Sequence, residues 1–278
     1  MSSVRRATQV MELLARKSPL GVRAVAQQLS LPVGSTHRLL LDLEKDSVVE
    51  RTLEGDWELS FRLIQIAGLH LDRMQFSRLV RPFAEKIAEA TEETVNVKAL
   101  HGLTSVCIDK VRGNDGMQLD LPIGSSGPLH RGGGGKVLLA FSDVTVQQAV
   151  LGNRLEAATS KTITDPKLLA RELTRIRQRG YAVDDQEVVM GVWCVAVPIL
   201  DRDARPVGAV SITGPSPKAP GPGIQPLVDM LNEACSLASR RLGYAGAWPP
   251  GEAAQAARSL GAKTTTNKTR AGKARAAV

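Results

Sequence analysis

The chain has 278 residues, 43% hydrophobic, 3% aromatic and 23% charged, with a formal net charge of +8. That length supports two modest domains with at least one proper core, and no apolar run reaches the roughly 18 residues of a membrane span. Cys107, Cys194 and Cys235 lie far apart with no CxxC pair, so neither a disulfide framework nor a zinc site is signalled.

Positive charge is concentrated at the two ends. Residues 1–41 set Arg5, Arg6, Arg16, Lys17, Arg23 and Arg38 against Glu12 alone, and residues 251–278 set six basic residues against Glu252. The middle is close to neutral, so the ends are the places to meet a polyanion. The opening "MSSVRRATQVMELLARKSPL" interrupts its apolar positions with charge, unlike a signal peptide, and a cytoplasmic protein is expected.

In chain order, Val10, Leu13 and Leu14 have the i, i+3, i+4 spacing of a first helix, and "SPLG" ends it. "VRAVAQQL" supplies a second. A third follows in "LSLPVGSTHRLLLDLEKDSVVER", with Leu39, Leu40 and Leu43 as its apolar stripe. "VVERTLEGDWELS" then reads as a hairpin about "EGD". Three short helices and a hairpin make a winged helix-turn-helix over residues 1–60. Its third helix lays its N-terminal residues into the major groove. Val33, Gly34, Ser35, Thr36, His37 and Arg38 occupy that first turn. Hydroxyls there bond phosphates or base edges, Arg pairs bidentately with guanine, and the helix N-terminus favours a phosphate. Taken alone, Ser35 and Thr36 would serve equally as a helix start.

Residues 61–74 read as a connecting helix, and a further helix opens a second domain over 75–245. "ETVNVKALHGLTSVCIDKV" has period two, with a turn at His101-Gly102. "KVLLAFSDVTVQQAVL" and "DPKLLARELTRIRQRG" read as helices, the second ending at its Gly. "YAVDD" and "VWCVAVPILDRDARPVGAVSITG" supply three strands, and a last helix runs from about Ile224 to Leu242. The pattern is α+β. Residues 246–278 read as a disordered basic tail, suited either to phosphate attraction or to solubility.

Three stretches resemble the IclR-type bacterial transcriptional regulators: "LPVGSTHRLLLDLEKDSVVER", "GPLHRGGGGKVLLA" and "RGYAVDDQEVVMGVWCVAVPILDRDARPVGAVSITGP". The resemblance covers most of residues 5–243. It implies a winged helix-turn-helix joined by a linker helix to a GAF-like effector-binding domain. It further implies homodimers or homotetramers on palindromic double-stranded operators, modulated by a small metabolite, commonly a carboxylate, and most often repressing. Carried over, the effector site comprises His130, Arg131, Gly132, Gly133, Gly134, Asp185, Cys194, Ser211 and Thr213. Glycine N–H groups at a helix start hold an anion, and hydroxyls add hydrogen bonds.

Val33 departs from the family, which commonly has a basic residue there, so one DNA contact is expected to be missing. The acidic "EGDWE" wing is expected to contribute little. Four consecutive glycines follow Arg131 where relatives have small residues, implying a looser loop or close approach of a ligand. Arg131 is positioned to clamp a carboxylate or to face solvent.

Other chemistries fit less well. A phosphate-binding GxxxxGK[ST] loop fails at His130 and Val137. Cys194 with His130 would make a nucleophile pair, against the commoner buried cysteine. Asp184, Asp185 and Glu187 with Cys194 and His130 would make a metal site, against a solvated turn. No catalytic residue, metal or cofactor is therefore expected. The alternative is a metabolite-binding protein or small-molecule enzyme whose helical N-terminus serves only assembly.

Overall fold

The computed structural model describes residues 2–71, 74–113, 121–216 and 221–250. The tail read from the sequence lies outside them from residue 251 onward. The chain forms two compact units that meet in sequence at Met74 and Gln75, so residues 61–74 cluster with the N-terminal unit.

The first unit begins with α1 (Ser3–Lys17), whose N-terminal amide of Arg5 donates to the Ser2 hydroxyl. After it come α2 (Val22–Leu29) and α3 (Val33–Lys45). Ser30, in the left-handed region at φ 53°, closes α2 and turns the chain toward Pro32 and α3. Strands β1 (Val49–Arg51) and β2 (Trp57–Leu59) pair antiparallel with Arg51 opposite Trp57. Trp57 also exchanges backbone hydrogen bonds of 3.0 and 2.9 Å with Leu20, tying the hairpin to the turn before α2. Val10, Leu14, Val25, Leu40, Val49 and Trp57 form the core, so every element contributes to one small centre. This is the winged helix-turn-helix. Helix α4 (Arg62–Leu71) follows and buries no residue.

The second unit is a six-stranded antiparallel sheet in the order β5-β4-β3-β8-β7-β6. Its strands are β3 (Thr94–His101), β4 (Thr104–Val111), β5 (Ser126–Pro128), β6 (Ala182–Asp185), β7 (Val192–Leu200) and β8 (Pro206–Pro215). Helices α5 (Gln75–Thr91) and α9 (Gln225–Arg241) pack together against one face. Helices α6 (Gly133–Phe141), α7 (Val144–Leu151) and α8 (Pro166–Arg179) lie on the other side, with α6 on the sheet and α8 behind it. Covered on both faces, all nine residues of β7 are buried.

Helix α8 has the ends its sequence predicts. Asp165 accepts from the amides of Lys167 and Leu168, and Gly180 closes the helix at φ 84°. Two local expectations need correction. "KVLLAFSDVTVQQAVL" is two helices, because Ser142 adopts an extended backbone and the Gln147 amide donates to the carbonyls of Ala140 (3.2 Å) and Ser142 (2.9 Å). Those bonds satisfy the end of α6 and remove the reason to continue it. The four-glycine run is not a loose loop: Gly133, Gly134 and Gly135 are the first turn of α6.

Close approach explains them. A Cβ on Gly133 would stand 3.0 Å from Cys194 Sγ and 3.3 Å from Ala196 Cβ; one on Gly135 would stand 3.0 Å from the Pro128 carbonyl. Small residues on β7 and none on the helix bring α6 down onto the sheet. The short strand β5, absent from the sequence reading, pairs with the start of β4 and delivers the chain into this turn.

Candidate DNA-reading helix and effector pocket

On α3, burial separates two faces. Thr36 and Leu40 are fully buried, whereas Ser35, His37 and Arg38 are exposed and Val33 is 48% exposed. Gly34 opens to empty space. Thr36 is the correction among the six candidates: its hydroxyl donates to the Pro32 carbonyl at 3.1 Å inside the domain. It shares the stripe of Leu40 four residues on, so it holds the first turn of α3 and presents nothing outward. Arg51 of the wing is also engaged, stacked 4.3 Å over the Trp57 ring and 3.3 Å from Glu44.

In the second unit, the register sets Asp184 opposite Cys194 and Cys194 opposite Thr213; Ser211 stands opposite Ala196 and Asn96. Their side chains share the α6 face. The Cys194 thiol is hydrogen-bonded with Thr213 and Ser211. Asn96 Nδ2 donates to Thr213 Oγ1 at 3.3 Å. Gly133 lies against the thiol, and Gly132, at φ 78°, lies near the Asp184 carboxylate. The N-terminal turn of α6 thus faces a floor of Asn96, Asp184, Cys194, Ser211 and Thr213.

A buried ion pair fixes that turn. Lys136 Nζ meets Glu187 Oε1 and donates to the Val183 carbonyl at 2.7 Å, with its side chain 1% exposed. Glu187 Oε2 accepts from the Gly132 amide at 3.3 Å, and the Glu187 amide donates to Asp184 Oδ1 at 2.6 Å. Burial pushes the Asp184 carboxyl up to about 6; the Glu187 amide opposes the rise, and the Glu187 charge adds to it. Burial also raises the Cys194 thiol, and the Asp184 charge raises it further. A thiol so placed stays protonated, the opposite of an activated nucleophile.

The other candidates stand elsewhere. Asp185 points outward, its carboxylate 2.8 Å from Lys161 Nζ, and the side chain is 65% exposed. On β6 alternation turns Asp184 inward and Asp185 out, so Asp184 replaces it in the pocket. His130 Nε2 lies 3.0 Å from the Glu156 carbonyl, and Arg131 Nη1 donates to that same oxygen at 3.1 Å. Both therefore brace the segment after α7 rather than join the Cys194 group. His130 borders a separate cavity of about 220 Å³ with Leu103, Val150 and Arg154. Among the described residues, no group of three or more His, Cys, Asp or Glu is arranged to hold a metal ion. The sequence reading missed Asn96, Lys98 and, as a pocket residue, Asp184. Alternation along β6 carried the signal for Asp184; no motif marked the other two.

Comparison with known proteins gives two matches to family models. One describes the bacterial transcriptional regulator IclR C-terminal region, over residues 69–240, and the other the IclR helix-turn-helix domain, over residues 3–53. The transcriptional repressor IclR of Escherichia coli is 31% identical over 220 residues, 77% of this chain and 80% of its own. The glycerol operon regulatory protein of Streptomyces coelicolor is 31% identical over 247 residues, 87% of this chain and 97% of its own. A Thermotoga maritima IclR crystal structure superposes with a TM-score of 0.75 at 30% identity, covering 87% of this chain and 99% of that one.

The raised Asp184 carboxyl has a measurable consequence. The folded state keeps this proton up to about pH 6, whereas the unfolded chain loses it near 3.8. Stability from this group is therefore present at low pH and lost as pH rises through that window. Asp184→Asn is expected to gain about 1–3 kcal/mol over wild type near neutral pH, and nothing below about pH 4. Urea unfolding of both proteins across that range checks it; parallel profiles would remove the assignment.

Proposed function

The chain belongs to the IclR family of bacterial transcriptional regulators, and on that premise we propose that it represses transcription by binding a palindromic operator through α3, released or retained according to a small carboxylate held beneath α6. The observation that carries the DNA half is the two-faced first turn of α3. Gly34, Ser35, His37 and Arg38 stand free above the buried Thr36 and Leu40, which fix the helix for docking. Arg38 is the direct base reader and Ser35 and His37 its polar neighbours. Val33 adds only an apolar contact.

Pairing of two such helices follows from α4. Phe61, Ile64, Ile66 and Leu69 are 74%, 65%, 51% and 72% exposed on or beside a helix that buries nothing. A contiguous apolar stretch of this kind favours a partner, and a second copy of the chain provides two recognition helices for a palindrome. The effector half rests on the α6 turn. Helix N-terminal amides above buried hydroxyls favour a carboxylate over a cation. The protonated Cys194 and the absence of an activated base near it support binding without chemistry.

Arg38→Ala is expected to weaken binding to the duplex that the wild-type protein selects by about 5- to 150-fold, a loss of roughly 1–3 kcal/mol of base discrimination. Gel shift measures it, and unchanged sequence preference would remove the recognition-helix assignment. Ile64→Glu with Leu69→Glu is expected to sediment as a monomer; an oligomer of wild-type mass would assign the self-association to another surface.

A further inference from the structure

The pocket contains a cation that the protein itself leaves unpaired. Lys98 stands on β3 two residues beyond Asn96, and its stem crosses the first turn of α6: a Cβ on Gly134 would stand 2.8 Å from its Cδ and 3.5 Å from its Cε. Its charge acts on both Asp184 and Cys194. Among the described residues no carboxylate pairs with Lys98 and no acceptor meets its amine. The nearby buried lysine, Lys136, is by contrast fully committed to Glu187 and Val183.

A second group is unsatisfied beside it. Asn96 is 2% exposed, and its Oδ1 is buried without a hydrogen-bond partner although Nδ2 is bonded to Thr213. Reversing the amide leaves an orphaned N–H in place of the orphaned oxygen, so one polar atom lacks a partner either way. Protein interiors rarely leave such a group unmet, because its lost hydration is not repaid. Above both, the amides of Gly133 and Gly134 head α6 with no acceptor inside the helix. Gly132 alone is served, by Glu187.

These three features specify complementary groups on one small molecule. An unpaired ammonium and helix N-terminal amides match a carboxylate. An unmet amide atom matches a group able to donate or accept, and a hydroxyl does both, so it fits either orientation of Asn96. We infer that the effector is a small hydroxycarboxylate, its carboxylate held by Lys98 and the α6 turn and its hydroxyl by Asn96. This rests on reading the α6 turn as the effector pocket. It adds Lys98 as the residue that selects for charge and Asn96 as the one that selects for the hydroxyl.

Calorimetric titration of the full chain with matched probes tests the inference: lactate, propionate and lactamide, and glycolate against acetate. Lactate or glycolate is expected to bind at least about tenfold more tightly than its deoxy partner, because the partner leaves Asn96 unmet. Lactamide, which lacks the charge, is expected not to bind measurably. Lys98→Met is expected to abolish hydroxy-acid binding, whereas Lys98→Arg, which keeps the cation, retains it within about tenfold. Equal binding of the acid pairs, equal binding of lactamide, wild-type affinity in Lys98→Met, or no acid binding at any soluble concentration would overturn the inference. The wild-type probe comparison stands even if a variant fails to fold. None of these titrations involves DNA, so a failed operator assignment leaves them intact, and their failure leaves the operator assignment intact.

Discussion

Lys136 reaches Glu187 between α6 and the loop that follows β6, with 1% and 8% of their side chains exposed. Removing two charges from water costs several kcal/mol per ion, and attraction alone seldom returns it. Here the surplus bonding capacity of both groups is used: Lys136 also donates to Val183, and Glu187 also accepts from Gly132. The pair therefore clamps the start of α6 to the end of β6. With that turn fixed, Gly133 is held against Cys194 and Gly134 beneath Lys98, and the polar floor has a roof. Deleting either ion would leave the other buried and alone, at a cost of about 3–5 kcal/mol.

The clamp also clarifies why this site binds rather than reacts. Glu187 occupies the first amide of the turn, so a ligand meets the next two, aimed at the floor. Cys194 is held neutral by burial and by Asp184. Such a pocket responds to occupancy. Occupancy alters DNA affinity only through a difference in ligand affinity between two arrangements of the protein. A coupling of about 1–3 kcal/mol, typical of such systems, changes operator affinity roughly 5- to 150-fold. Nothing in that scheme asks for a large rearrangement of either core.

Much of this was legible in the sequence because periodicity and punctuation coincide. The stripe of α3, the hairpin at "EGD", the Asp165 and Gly180 ends of α8 and the β7–β8 hairpin all appear where their patterns predict. Thr36 and Asp185 were misplaced for a different reason: residue type suggested function, while one step of helical or strand phase decided orientation. Thr36 shares the face of Leu40, and Asp185 the outward face of β6. His130 and Arg131 followed a motif whose backbone is in the site while their side chains brace Glu156. Lys98 and Asn96 were invisible, since an isolated lysine and asparagine in a strand carry no signal until the sheet and α6 enclose them. Four glycines in a row could be read as slack or as close contact, and only packing against Cys194 and Ala196 decides which.

The central claim is that this chain reads DNA sequence through α3. Selecting duplexes from a random pool with the full-length protein, then comparing the enriched site with scrambled DNA at low and high salt, tests it most directly. The account predicts a palindromic consensus whose preference over scrambled DNA survives the higher salt, because base contacts, unlike phosphate contacts, do not depend on counterion release. Enrichment without a consensus, with binding that disappears as salt rises, would contradict it.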